Sequence, residues 1–389
     1  MIIMEELKLT DQEKAAFYQE ITRNRALDYF FVFDNVPLHF IYHDKVIPGD
    51  LSDLEKRNKI ITETLWVDAY NTYIVGNAAY PFLYRGRVLQ MALQTYLMGI
   101  EYFVPSIEDK NRVYVTAEGV QKNFDAWMEK AGWSIFENSR NSAPRASWRS
   151  FLGNPDRTIR IGSLIPVGNQ VLTELIVTWS IDGVLKETTF GVVLLYDVDG
   201  TVLMDRSYID LDNWPSSRGR RGQGAMGTNN QSQTMGVTDL LYDYQKTKQL
   251  ELKLSDLEKK NLSIIEGEWL ESYNAGFDTE PFHPKRFRMQ LPPQKCSYSL
   301  TVAKEIETII KEEAPDRKMR FAMSYAKGNQ VVVEGIISWT EKGVFRETPF
   351  ISFLLLDKDG LIIRDRRHIT LQNYPGADMM KKRLGLQIN

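Results

Sequence analysis

This chain has little of what marks export, metal chemistry or nucleic-acid binding. Among its 389 residues a single cysteine, Cys296, excludes an intrachain disulfide framework and a cysteine-rich zinc site, and fits a reducing, cytoplasmic setting. No apolar run approaches the roughly 18 residues of a membrane span. The opening Met1-Ile2-Ile3-Met4-Glu5-Glu6 lacks the basic and apolar regions of a signal peptide. A formal net charge of -3 gives no electrostatic reason to expect nucleic acid. His39 and His43 stand four apart, but Pro37 and the aromatic alternation around them favour extended chain over helix, so no metal site is expected.

What is present is an ordinary globular composition, 43% hydrophobic and 25% charged, and an internal repeat. Arg160 to Pro215 returns at Arg320 to Pro375 without a gap, identical at 24 of 56 positions, which is too many for composition alone. The shared positions include Gly168-Asn169-Gln170-Val171 and Gly328-Asn329-Gln330-Val331, the pairs Glu174/Glu334, Trp179/Trp339 and Glu187/Glu347, and Asp205-Arg206 with Asp365-Arg366. Upstream, Leu51 to Asn71 and Leu254 to Asn274 agree at 12 of 21 positions. Each copy therefore reads as a helix followed by a sheet.

Capping boxes mark the helix starts, because a Ser or Thr hydroxyl and a Glu carboxylate three residues later satisfy free N–H groups. They occur at Thr10-Asp11-Gln12-Glu13, Ser52-Asp53-Leu54-Glu55 and Ser255-Asp256-Leu257-Glu258. The first predicts a helix to about Asn24. After it, Tyr29 to Phe33 and Leu38 to Val46 read as short strands or as an arm packed on a neighbouring surface, with a dimer-swapped arm as the alternative. The first copy carries an aromatic, partly helical segment between helix and sheet, including Arg87 to Met98 and a helix over Thr116 to Gly132. The second has only Phe277 to Gln294, broken by prolines, and a helix from Thr301 to about Glu313.

The repeated sheet reads as a meander, with Ile181-Asp182-Gly183 and Asp197 to Gly200 as tight turns, since Asp-Gly tolerates positive φ. Ser216 to Gly236 reads as a flexible linker. Its Gly222, Gly224 and Gly227 match a dinucleotide fingerprint only by letters, with Arg-Arg before and Asn-Asn after instead of strand and helix. The cluster Arg218, Arg220 and Arg221 reads as solvated, with contact to RNA or an acidic ligand as the alternative.

A capped long helix, shorter helices and a curved meander ending in a hydrophobic–Asp-x-Asp-Gly–hydrophobic hairpin resemble the nuclear transport factor 2-like fold, in its SnoaL-like and ketosteroid-isomerase-like branch. Phe190 to Asp210 and Phe350 to Thr370 carry the likeness, and the close at Asn373-Tyr374-Pro375 before Leu384-Gly385-Leu386 is similar to phenazine-biosynthesis proteins of this fold. The resemblance implies an α+β chain of two tandem cone-shaped domains. The boundaries expected are an N-terminal helix and arm at 1–50, a first domain at 51–215, the linker at 216–250 and a second domain at 251–389. It implies a small, mostly apolar ligand at each cone mouth and an internal pseudo-dimer, with a further homo-oligomer left open; no nucleic acid, membrane, metal or redox cofactor is expected. Members include isomerases, polyketide cyclases, epoxide hydrolases, dehydratases and non-catalytic proteins, so the fold leaves function open.

Such chemistry needs a carboxylate or histidine to move a proton and a donor to hold the oxyanion. Asp205 and Asp365, mid-strand in both copies, are the first candidates; Arg206 and Arg366 beside them must point to the opposite face. Glu174 and Glu334 interrupt apolar strands and are either pocket carboxylates or partnered buried groups. His368 is a candidate base on the last strand, replacing Tyr208, and Asp210 is replaced by Thr370. For substrate binding the candidates are Tyr208, Tyr70, Tyr273, Trp179, Trp339 and His283, the last in the segment expected at the second mouth. Tyr70, Tyr273, Trp66 and Trp269 on the long helices, like Trp179 and Trp339, are core by default. The leading reading is an acid–base enzyme of cyclase, isomerase or dehydratase type acting on a small hydrophobic or aromatic metabolite, and the alternative is a ligand-binding or scaffolding protein.

Overall fold

The computed structural model of the chain describes residues 30–32, 38–42, 44–67, 71, 93–95, 100–103, 156–198, 200, 202–208, 210, 242, 245, 246, 248–369 and 374–376. The expected helices at 10–24 and 116–132, and the linker glycines and arginines at 216–236, lie outside the described residues, as do His43 and Tyr70.

Strand β1 (Phe30–Val32) leads through a 3-10 turn at Leu38–Tyr42 to helix α1 (Asp53–Ile61), which continues as one π turn over Thr62–Trp66. Strands β2 (Leu93–Thr95), β3 (Ile100–Phe103), β4 (Thr158–Val167), β5 (Gln170–Ile181), β6 (Val184–Tyr196) and β7 (Val202–Tyr208) follow. The C-terminal half repeats the capped helix, the π turn and the four-strand meander. Helix α2 (Asp256–Ile264) runs through a π turn at Ile265–Trp269 into α3 (Leu270–Ala275). Strands β8 (Arg288–Leu291) and β9 (Cys296–Tyr298), helix α4 (Leu300–Glu313) and strands β10 (Lys318–Lys327), β11 (Gln330–Glu341), β12 (Val344–Leu356) and β13 (Ile362–His368) complete it.

Both helix starts are capping boxes. Ser52 and Ser255 accept from the amides of Glu55 and Glu258, whose carboxylates accept in return from the serine amides. Glu55 also accepts from the Gly168 amide at 2.9 Å, and Glu258 from the Gly328 amide at 2.8 Å, so each helix start is pinned to the hairpin that opens its own meander. The π turns after α1 and α2 end on Trp66 and Trp269, both fully buried.

One sheet runs β2-β3-β7-β6-β5-β4 and the other β1-β9-β8-β13-β12-β11-β10. The meanders share their register: Gln170 opposes Leu195 as Gln330 opposes Leu355, and bulges interrupt β4 between Ile161 and Ser163 and β10 between Phe321 and Met323. Asp182 and Lys342 enter their hairpins with φ of 52° and 51°, each followed by a positive-φ glycine that relieves the turn.

The sheets lie face to face, and each is covered on its other face by helix. On the helix-covered face of the first sheet Val171, Leu175, Val192 and Leu194 pack on Trp66; in the second, Val331, Val333, Leu354 and Ile310 pack around Trp269 and Tyr273. Residues of opposite parity, Val193 and Leu195 with Phe353 and Leu355, are buried as well. Burial on both faces explains why Val192–Tyr196 reads as an unbroken apolar run and Phe350–Leu356 as one interrupted only by Ser352.

Three expectations change. Leu38–Tyr42 is a 3-10 turn and not a strand. Leu93–Thr95 is strand where the sequence suggested helix, and with Ile100–Phe103 it extends the first sheet beyond β7. The proline-broken segment contains β8, which lies parallel to β13 and carries β9 and then β1 at the sheet edge.

The segments ahead of α1 and α2 cross over. Ile47 exchanges backbone and side-chain hydrogen bonds with Asn329 in the β10–β11 turn, donating to its Oδ1 at 2.7 Å. Leu250 donates to Oδ1 of Asn169 in the β4–β5 turn at 3.0 Å. Each leader thus straps the opposite half.

Candidate functional site

Successive strand residues point to opposite faces, and β13 uses this to build two different polar clusters. Asp365 and Arg367 face the helices; Arg364, Arg366 and His368 face the other sheet.

On the helix-covered face, Asp365 is completely buried. Its Oδ1 accepts from Ser352 Oγ at 2.9 Å, and its Oδ2 accepts from Arg367 Nη2 at 2.9 Å and from the Tyr273 hydroxyl at 3.3 Å. Tyr273 arrives from α3, Ser352 from the neighbouring β12. The Arg367 guanidinium carbon sits 4.8 Å from the Tyr273 ring, 5.0 Å from Phe350 and 5.7 Å from Trp269, within the range of cation–π attraction. Burial pushes the Tyr273 hydroxyl well above its ordinary pKa, against the opposing pull of Arg367, which keeps it a neutral donor. Burial would lower Arg367, but Asp365 and the surrounding tyrosines hold it well above its usual value, so it stays a cation.

Two donors here have no acceptor among the described residues: Arg367 Nη1 and Trp269 Nε1. A buried donor left unpaired costs about 1–3 kcal/mol, more for a charged group. Deeper in the same layer Arg317 pairs with Glu307 and donates to the Tyr273 carbonyl at 2.8 Å, which fixes α3 against α4.

The face between the sheets holds the second cluster. Glu174 on β5 receives Arg366 of β13, with Nη2 at 2.9 Å from Oε2, together with Ser163 Oγ at 2.6 Å and His368 Nε2 at 3.0 Å. Glu334 on β11 receives Arg206 of β7, with Nε at 2.6 Å, together with the hydroxyls of Tyr208 at 2.6 Å and Tyr325 at 2.9 Å. The arrangement is reciprocal, each sheet giving one arginine and one glutamate. Burial raises the Glu174 carboxyl, but Arg366 and His368 more than offset this and leave it below the ordinary value.

The structure thus gathers Asp365 and Tyr273 in one place, and Glu174, Glu334, His368 and Tyr208 in another. Asp210 is buried and accepts from Gln294 Nε2 at 2.8 Å. Trp179 and Trp339 lie in the two apolar cores. His283, expected at the second mouth, caps a turn instead: its Nδ1 accepts from the amides of Lys285 and Arg286, both at 3.1 Å. Asp205 is paired in β7 with Phe103 and Leu194, while its side chain and all of Tyr70 lie outside the described residues. Arg367 and Ser352 are missing from the sequence reading; the signal was their asymmetry, since the first copy has Ser207 and Val192 at the matching positions. Among the described residues no group of three or more His, Cys, Asp or Glu is arranged to hold a metal ion, and no helix is long and apolar enough to cross a membrane.

No family model matches the chain, and no curated protein sequence matches it. Solved structures similar to part of it include a putative SnoaL-like polyketide cyclase from a Jannaschia species, 17% identical, covering 33% of this chain and 94% of its own, with a TM-score of 0.28. An M. tuberculosis LEH-like epoxide hydrolase is 11% identical, covering 35% of this chain and 99% of its own, with a TM-score of 0.27. A putative hydroxylase from Streptomyces galilaeus is 13% identical, covering 34% and 89%, with a TM-score of 0.26.

Proposed function

We propose that the chain is two nuclear transport factor 2-like units in tandem, paired internally through their sheets. The helix-covered face of the second sheet would then be an acid–base site for a small hydrophobic or aromatic molecule. Support for the tandem comes from the shared capping boxes and π turns and from the common order and register of the four meander strands. Support for the site comes from one observation: a buried carboxylate, Asp365, stands beside a neutral phenol and a guanidinium that retains an unpaired N–H, all enclosed by aromatic rings.

In this reading Asp365 moves the proton. As Asp365 takes up the proton, the Tyr273 hydroxyl is released from it and, with Arg367 Nη1, stabilises the negative oxygen that forms on the substrate, which is worth most where water is excluded. Ser352 orients the carboxylate. The reaction is of cyclase, isomerase or dehydratase type, in which a proton leaves carbon next to a carbonyl.

The test is hydrogen–deuterium exchange at the α-carbon of a panel of small aromatic ketones, followed by NMR. Wild-type protein is expected to catalyse exchange on at least one of them, and Asp365→Asn to lower the rate by about 10²–10⁴-fold. Full exchange activity in Asp365→Asn removes the carboxylate from the mechanism.

A second reading rests on the same carboxylate. Both Asp365 oxygens already accept from protein donors, as in a purely structural ion pair, and this suits a ligand-binding or scaffolding protein. It predicts ketone binding without exchange, or neither.

A further inference from the structure

Strands β13 and β8 run parallel with Arg364 opposite Arg288, and Arg366 follows on the same face. We propose that these arginines form a second binding site, for a small oxyanion carrying a carboxylate or phosphate group, distinct from the Asp365 cluster and independent of its chemistry.

The charges do not balance. Arg364 Nε lies 3.0 Å from Asp44 Oδ1, and Arg366 bridges Asp44 Oδ2 and Glu174, both at 2.9 Å. Three guanidinium groups therefore face two carboxylates, and Glu174 is shared with His368 besides. Arg286, two residues before Arg288, is settled by Asp357 at 2.8 Å. Arg288 is not. Its Nη1 donates to the Phe287 carbonyl at 2.9 Å, and no carboxylate among the described residues pairs with it. It is half-buried, so water compensates its charge only in part.

Arg364 registers the imbalance: burial lowers its pKa, and the charges of Arg366 and Arg288 add to that, while Asp44 pulls the other way. Arg364 Nη1 is held by the Arg286 and Ile363 carbonyls, at 2.9 and 2.7 Å, so an anion seated between Arg288 and Arg364 would relieve the repulsion chiefly through the remaining N–H groups of Arg288, whose forked geometry matches carboxylate and phosphate oxygens. The Arg364 side chain keeps 25% of its surface exposed, so a ligand can reach it without unfolding the sheet.

The experiment is thermal unfolding of the full-length protein in sodium phosphate, and separately in sodium acetate, against sodium chloride at matched ionic strength. The midpoint is expected to rise and saturate with at least one oxyanion above its value in chloride. Which one acts tells phosphate from carboxylate. Arg288→Gln should weaken that oxyanion's apparent affinity about tenfold, the effect of losing one charge-assisted contact, whereas Lys56→Gln on exposed α1 should leave it unchanged. Should Arg288→Gln fail to fold, Arg288→Lys, which keeps the charge and loses the fork, takes its place, with a smaller loss expected. No shift beyond chloride, or the same shift in wild type and the Arg288 variant, overturns the proposal.

Discussion

Arg366 and Glu174 face each other from different sheets at 2.9 Å, both buried, while Arg206 and Glu334 make the same contact in the opposite sense. Neither arginine has its glutamate within its own half. The two halves are thus joined by charges that each would otherwise have to bury alone.

Removing one member of this exchange leaves an uncompensated buried charge. Arg366→Met is expected to destabilise the protein by about 3–5 kcal/mol. The double variant Arg366→Met/Glu174→Gln should cost less than the sum of the single changes, by about 0.5–3 kcal/mol. Urea unfolding of the four proteins measures the cycle; strict additivity would mean that the contact carries no energy.

Acid should loosen the same joint. Because the folded Glu174 carboxyl lies below its ordinary value of 4.5, its contribution is complete above about that pH and is lost as pH falls through the lowered folded value. Glu55, held low by its amide contacts and Lys327 despite the upward push of burial, has the same sign. Glu174→Gln should therefore flatten the dependence of the urea midpoint on pH below about 4.5 without abolishing it. An unchanged slope would exclude Glu174 as a source of acid sensitivity.

The two hairpin glycines should respond unequally to alanine. Gly168 and Gly328 have φ of +59° and +57°, so both substitutions carry left-handed strain of roughly 1–2 kcal/mol. A Cβ on Gly168 meets the movable Leu252 Cδ2, whereas one on Gly328 meets the Ile47 carbonyl oxygen and the Gly49 amide of the crossing strap. Gly328→Ala is expected to be the more destabilising in chemical denaturation, and equal losses would contradict the strap geometry.

Cys296 should be silent in the native protein. Burial in β9 pushes its thiol up to about 12, and the thiolate is the reactive form. Labelling with a disulfide reagent at neutral pH should await opening of the β1–β9 edge or global unfolding. Rapid stoichiometric labelling under native conditions would show that this edge is open.

Much of this architecture was legible because it is local. The boxes at Ser52 and Ser255, the turn at Asp182-Gly183 and the helix ending at Glu313 each depend on neighbours within a few residues. The duplicated spacing carried one half's reading into the other. What could not be read was which partner each strand face meets. Glu174 and Glu334 look identical whether a pocket or another sheet lies opposite, and Arg366 and Arg367 differ only in parity, yet one bridges the sheets and the other joins Asp365. Strand β8 was hidden for a similar reason: its parallel partner, β13, lies more than 70 residues further along the chain.

The crossed leaders carry an implication for how this polypeptide can change over generations. Gly-Asn-Gln-Val occurs at 168–171 and again at 328–331, and each asparagine clasps the segment that introduces the other half's helix. A replacement in either tetrad is therefore judged by residues encoded far away, so its cost is set by a strap that the neighbouring sequence does not reveal.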